Sequence, residues 1–203
     1  MGVVGRSHAG AQLGKDIASV QSPPIAELVE RMLMNSDNDV AEALARHVSL
    51  KTGGPGTFAG GGAAVAAAVA TLGVPGVLLS DGSGLSTNDR ATPAGLAALI
   101  RRASDAAHPE LRAIINGLPV AGFSGTMRYR FRDKATRAYA GFVHAKTGTL
   151  KNVNALAGTV VDHDGRLLVF AFVSNRSKPV VGRKTPTQAL DALVAVVAAC
   201  GCR

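Results

Sequence analysis

Phe142-Val143-His144-Ala145-Lys146-Thr147-Gly148-Thr149-Leu150, Val153 to Val161, and Leu167-Leu168-Val169-Phe170-Ala171-Phe172-Val173 are three consecutive β-rich runs. Asp162-His163-Asp164-Gly165 separates the second from the third, and an Asp-Gly pair favours the left-handed backbone of a hairpin turn. The three runs therefore read as an antiparallel meander. The third is apolar enough to be buried on both faces. Thr185-Pro186 then opens a last helix carrying Leu190, Leu193, Val194 and Val197.

Upstream of the meander the period changes from two to about 3.6. Ser22-Pro23-Pro24 marks a helix start, with Ser22 as cap and Pro23 in the first turn, and Ile25, Leu28, Val29, Met32 and Leu33 follow at helical spacing. That helix should stop near Asn35. A second, beginning near Asp39, has Val40, Ala43, Leu44, His47 and Val48 on one face, so His47 reads as a packed core residue. Ala63 to Leu72 is helical and Val77-Leu78-Leu79 a short buried strand. Thr92-Pro93 is another cap-plus-proline start, with Leu96, Leu99 and Ile100 following, and Leu111, Ile114 and Ile115 mark a further short helix. Helices first, then an antiparallel sheet, then a covering helix predict an α+β layered domain over residues 21–203, preceded by a loose segment over 1–20.

Apolar residues form 47% of the 203-residue chain and charged residues 18%, which excludes an intrinsically disordered chain. Lys plus Arg is 22 against 14 for Asp plus Glu, a formal net charge of +8. The cations are scattered. Only Arg128, Arg130, Arg132, Lys134 and Arg137 cluster, and a solvated loop or an anionic cell-wall partner suits them at least as well as a nucleic acid, so no nucleic-acid partner is expected. No charge falls between Lys51 and Asp81, but Gly60-Gly61-Gly62, Pro55 and Pro75-Gly76 interrupt that stretch, so no transmembrane segment is expected. Met1 to Ala18 lacks the apolar core of a signal peptide. The only cysteines, Cys200 and Cys202, read as two terminal thiols, because one intervening residue would strain a bridge between them. No metal or organic cofactor is expected.

Two short patterns can carry chemistry. Ser36-Asp37-Asn38 lies on the turn between the first two helices, and Lys146-Thr147-Gly148-Thr149 lies on the first strand of the meander. Either alone has an ordinary explanation. A Ser-Asp-Asn turn caps the helix that follows it, and Lys51-Thr52-Gly53 is a second Lys-Thr-Gly that merely ends a helix. Together, and in this order, they match the last two elements of the penicillin-recognising set S-x-x-K, S-D-N, K-T-G. A Ser hydroxyl beside a cation can relay a proton. An Asn amide can both donate to and accept from a peptide group. A strand Lys supplies positive potential, and the Gly after Thr lets a substrate backbone lie against the strand. The N–H of Thr149 can face a developing oxyanion.

Four segments, in order, extend the match: Ser36-Asp37-Asn38-Asp39; Asp81-Gly82-Ser83-Gly84-Leu85-Ser86 with Thr92-Pro93; Leu118-Pro119-Val120-Ala121-Gly122 through Gly125-Thr126-Met127 to Arg130-Phe131; and His144 to Leu150 with Ala155-Leu156-Ala157-Gly158. On these the chain, from about Ser19 onward, resembles the D-alanyl-D-alanine carboxypeptidases/endopeptidases of the class C low-molecular-weight penicillin-binding proteins, peptidase family S13. The resemblance implies a β-lactamase/transpeptidase-like fold, an acyl-serine mechanism on peptidoglycan stem peptides ending in D-Ala-D-Ala, β-lactams as substrate mimics, and an extracytoplasmic site of action. By the same resemblance, Ser36 passes a proton to the leaving amine, Asn38 binds the substrate amide, and Lys146 stabilises negative charge and tunes Ser36. Thr147 and Thr149 bind the terminal carboxylate, with Gly148 clearing the strand between them. The loop carrying Asp81 and Ser83 reads as structural, ordering the segment beside the cleft.

One departure stands against these matches. Lys15, Lys51, Lys134, Lys146, Lys151, Lys178 and Lys184 are preceded three residues earlier by Gln12, Val48, Phe131, Val143, Gly148, Asn175 and Val181, so no S-x-x-K occurs. The resemblance then implies the C-terminal portion of such a domain, incomplete at its N-terminal side. It would supply the S-D-N and K-T-G motifs but not the nucleophile, with a missing N-terminal fragment as a partner. The other reading is a catalytically inactive wall-binding or partner-binding module. Removal of the N-terminal part would leave unpaired strand edges and uncovered apolar helix faces.

Overall fold

The computed structural model describes residues 18–176 and 184–200. The expected loose segment over residues 1–20 therefore falls mostly outside the described residues, as does Cys202. In chain order the helices and strands are α1 (Ile25–Asn35), α2 (Asn38–Lys51), α3 (Phe58–Thr71), β1 (Val77–Leu78), β2 (Arg90–Ala91), α4 (Pro93–Ala103), α5 (Arg112–Asn116), β3 (Val143–Leu150), β4 (Val153–Val161), β5 (Leu167–Asn175) and α6 (Pro186–Ala199). The α+β class is as expected.

Strands β3, β4 and β5 form an antiparallel sheet in that order, with Lys146 opposite Ala157 and Leu156 opposite Phe172. Directly opposed residues share a face. One face carries Val143, Ala145, Leu156, Val160 and Phe170, and α6 closes it with Leu190, Val194 and Ala198 to form the main core. The other face carries His144, Lys146 and Ala157, and α4 lies against its β4 and β5 portions. Lys146 therefore points to the helical side of the molecule. Thr185 caps α6 in a reciprocal capping box with Gln188.

The helical side packs through small residues. A Cβ on Gly61 would meet Ala45 of α2, and one on Gly62 would fall within 2.7 Å of the Ser80–Asp81 backbone. These contacts explain why the glycine run sits inside α3, whose cap is Thr57, and why the helix starts earlier than the Ala63 expected from periodicity. Among the described residues no helix is long and apolar enough to cross a membrane.

Several local expectations are corrected. The cap position of α1 is Pro24 with no side-chain cap, not Ser22. None of the α1 residues is fully buried; among the described residues α2, α5 and the turn at Gly125–Met127 make its main packing. His47 is exposed, not a core residue. The Val77–Leu78 strand is not buried, since Leu78 is 60% exposed and pairs only with β2. In β5 only Phe170 is fully buried, because this strand stands at the sheet margin. Cys200 is disulfide-bonded, not a free thiol.

Candidate active site

The turn between α1 and α2 is built by two local features. Ser36 takes φ 55° and ψ 48° at the end of α1, and its N–H donates to Met32 O. That left-handed residue reverses the chain. Asp37 then accepts from Val40 N at 3.0 Å and caps α2. Ser36 is thereby fixed between two helices with its side chain projecting from the corner.

Across from it, β3 is the margin of the sheet. Among the described residues its outer edge meets the segment before it, where Val120 bridges His144, Ala121 N donates to Val143 O and Ala145 N donates to Pro119 O. Backbone polarity alternates along an antiparallel strand. The N–H groups of Thr147 and Thr149 therefore face that same outer edge, beyond the last residues covering it.

The two segments meet at Lys146. Its Nζ donates to Ser36 Oγ at 2.9 Å and to Thr147 O at 2.9 Å. Burial pushes the pKa of this ammonium below the ordinary lysine value. Thr147 Oγ1 and Thr126 Oγ1 share a hydrogen bond at 2.9 Å, so the turn at Gly125–Met127 joins the group. Thr149 and Gly148 are exposed farther along the strand. Asn38 takes no part in the hydrogen bonds around Lys146. It is the first residue of α2 and opens, with Asp39, Glu42, Phe58, Asp81 and Leu85, onto a cavity of about 430 Å³.

Three carboxylates order the loop on the far side of that cavity. Glu42 Oε1 accepts from Gly82 N and Ser83 N, and Asp81 accepts from Gly84 N and Ser86 N. Asp89 Oδ1 accepts from Ser80 N at 2.7 Å. Burial, with Asp81 and Glu42 as like-charged neighbours, holds the Asp89 carboxyl above its usual range. Sequence reading found the Asp81 loop but missed Glu42 and Asp89, which have no pattern of their own. It also missed that Arg130 forks onto buried Asp191 of α6, with Nε at 3.0 and 2.9 Å from the two oxygens. Among the described residues no group of three or more His, Cys, Asp or Glu could hold a metal ion.

Residues 1–199 match the D-Ala-D-Ala carboxypeptidase 3 (S13) family. The chain belongs to that family. It is 42% identical over 197 residues to carboxypeptidase DacB of Mycolicibacterium smegmatis, covering 96% of this chain and 42% of the relative. It is 36% identical over 166 residues to a D-alanyl-D-alanine carboxypeptidase of Actinomadura sp. (strain R39), covering 78% of this chain and 30% of that one. Among solved structures, penicillin binding protein 4 of Haemophilus influenzae in complex with a β-lactam superposes with a TM-score of 0.70 at 28% identity, over 86% of this chain and 41% of that one. This S13 chain thus spans less than half the length of each of these three relatives.

Proposed function

We propose that this chain supplies the proton-relay and substrate-binding side of a serine-type D-alanyl-D-alanine carboxypeptidase acting on peptidoglycan stem peptides outside the cytoplasmic membrane. The attacking serine and its lysine come from a segment that these 203 residues do not contain. The observation that carries the proposal is the hydrogen bond from Lys146 to Ser36 across the open end of β3.

The direction of that bond matters. Lys146 has no acceptor, so Ser36 must accept, and the Ser36 proton is left free to point outward. A leaving amine in the groove would take that proton as the peptide bond breaks. The ammonium beside Ser36 favours the resulting alkoxide character, and its tie to Thr147 O keeps it at the strand. The Thr149 N–H, on the open edge, would serve as one donor to the oxyanion of the tetrahedral intermediate. Thr147 and Thr149 would hold the terminal carboxylate of D-Ala-D-Ala, and the bare Gly148 lets the peptide lie flat against the edge. Asn38 would take the substrate amide. A β-lactam would occupy the same edge as an acyl-donor mimic, as the similarity to a β-lactam-bound structure supports.

The test is a fusion of the chain to the part of the M. smegmatis relative that lies outside its match, assayed for D-alanine release. The proposal expects activity that falls at least ~100-fold in Ser36→Ala or Lys146→Ala. An active fusion indifferent to both changes would overturn it. The absence of S-x-x-K from the sequence favours a second reading, a catalytically inactive module that binds wall peptide or a partner. That reading expects peptide binding by the chain with no turnover in any such fusion.

A further inference from the structure

The hydroxyl pair at the mouth of the site places Thr126, a residue outside both motifs, where a ligand would meet it. In two hydrogen-bonded hydroxyls one proton is internal and the other free. Thr147 Oγ1 and Thr126 Oγ1 lie 2.9 Å apart, so the pair holds one proton internally and presents the other to a ligand. Thr126 is exposed while Thr147 is half-buried. Either proton can be the internal one, and the exposed Thr126 hydroxyl is the member of the pair that a ligand in the groove reaches.

The backbone under Thr126 is fixed. Gly122 N donates to Met127 O at 3.0 Å, Val120 N donates to Ser124 Oγ at 2.9 Å, and Arg128 N donates to Gly125 O at 3.2 Å. Gly125, at φ 50°, lies so close to Met34 that no Cβ fits between them. The turn is thus held between the last turn of α1 and β3, and the hydroxyl it presents is preorganised.

We propose that Thr126 is a further substrate-binding residue, whose hydroxyl donates to the terminal carboxylate of the ligand beside Thr147 and Thr149. This rests on the reading that the edge of β3 receives a C-terminal carboxylate. The experiment is an NMR titration of the 203-residue chain with an acetylated peptide ending in D-Ala-D-Ala and with its C-terminal amide. Wild type should prefer the acid. Thr126→Val should lose about tenfold of the acid affinity and leave amide affinity unchanged, as expected for one charge-assisted hydrogen bond. Thr126→Ser, which restores the donor, should bind like wild type. If wild type prefers the acid and Thr126→Val keeps that preference, or loses acid and amide equally, the role given to Thr126 is wrong while the carboxylate reading survives. A wild type that does not distinguish acid from amide overturns both.

Discussion

The ammonium of Lys146 donates to the hydroxyl of Ser36, a residue 110 positions away that holds a left-handed backbone conformation at the end of α1. A helix corner and a sheet edge are thereby joined at one point, and the joint carries a partly buried charge. Because burial lowers the folded-state pKa of Lys146 below its unfolded value of 10.5, the unfolded chain binds more protons between those two values. Stability from this group therefore rises with pH across that window, and the full cost of the buried charge is present below it. Comparing wild type with Lys146→Met by chemical denaturation from pH 7 to 10.5 should show wild type gaining on the variant as pH rises. A difference that stays flat would mean that burial does not perturb Lys146.

Gly125 offers a mechanical test of the same joint. Gly125→Ala puts a methyl group into the carbonyl of Met34, two residues before Ser36, at a position of positive φ. A loss of about 2 kcal/mol or more is expected from the clash and the backbone strain together. The Ser36 and Lys146 resonances should shift in the same variant. A stability within ~0.5 kcal/mol of wild type would show that the turn is not wedged as described.

Arg130 anchors that turn from its other end. It is 15% exposed and its partner Asp191 is 7% exposed. Arg130→Ala should cost about 3 kcal/mol, because it strands a buried carboxylate on α6. Arg128→Ala, two residues away on an exposed side chain, should change stability by less than ~0.5 kcal/mol. Equal effects in urea denaturation would remove the anchor from the account.

Asp89 carries the opposite pH signature to Lys146. Its folded pKa is raised above the ordinary value of 3.8, so the folded state binds the extra proton, and stability from this group is lost as pH climbs through that window. Asp89→Asn, which mimics the protonated carboxyl and can still accept from Ser80 N, should raise the melting temperature at pH 7. The gain should shrink near pH 4. A larger gain at pH 4 than at pH 7 would contradict the assigned sign.

How much of this was legible beforehand follows from how local each feature is. Bounds of β4 and the start of α6 were readable because alternation, an Asp-Gly turn and a Thr-Pro cap are written into neighbouring residues. Ser36 and Lys146 were readable as motifs, yet nothing in either tripeptide states that 2.9 Å separates them. That distance arises between segments far apart in the chain, as does the close contact of Gly125 with Met34 beside it. Glu42 reads as an ordinary helix carboxylate until the Gly82–Ser83 amides fold onto it. His47 went wrong for a related reason. Helical spacing gives the side of a helix a residue lies on, but not whether another element arrives to cover it.

The central claim is that this chain holds the relay and the seat of the substrate but not the attacking hydroxyl. Intact-protein mass spectrometry of the 203-residue chain after incubation with an excess of a penicillin tests it most directly. The account predicts an unchanged mass. A stoichiometric increase by one penicillin, mapped to any serine of the chain, would contradict it.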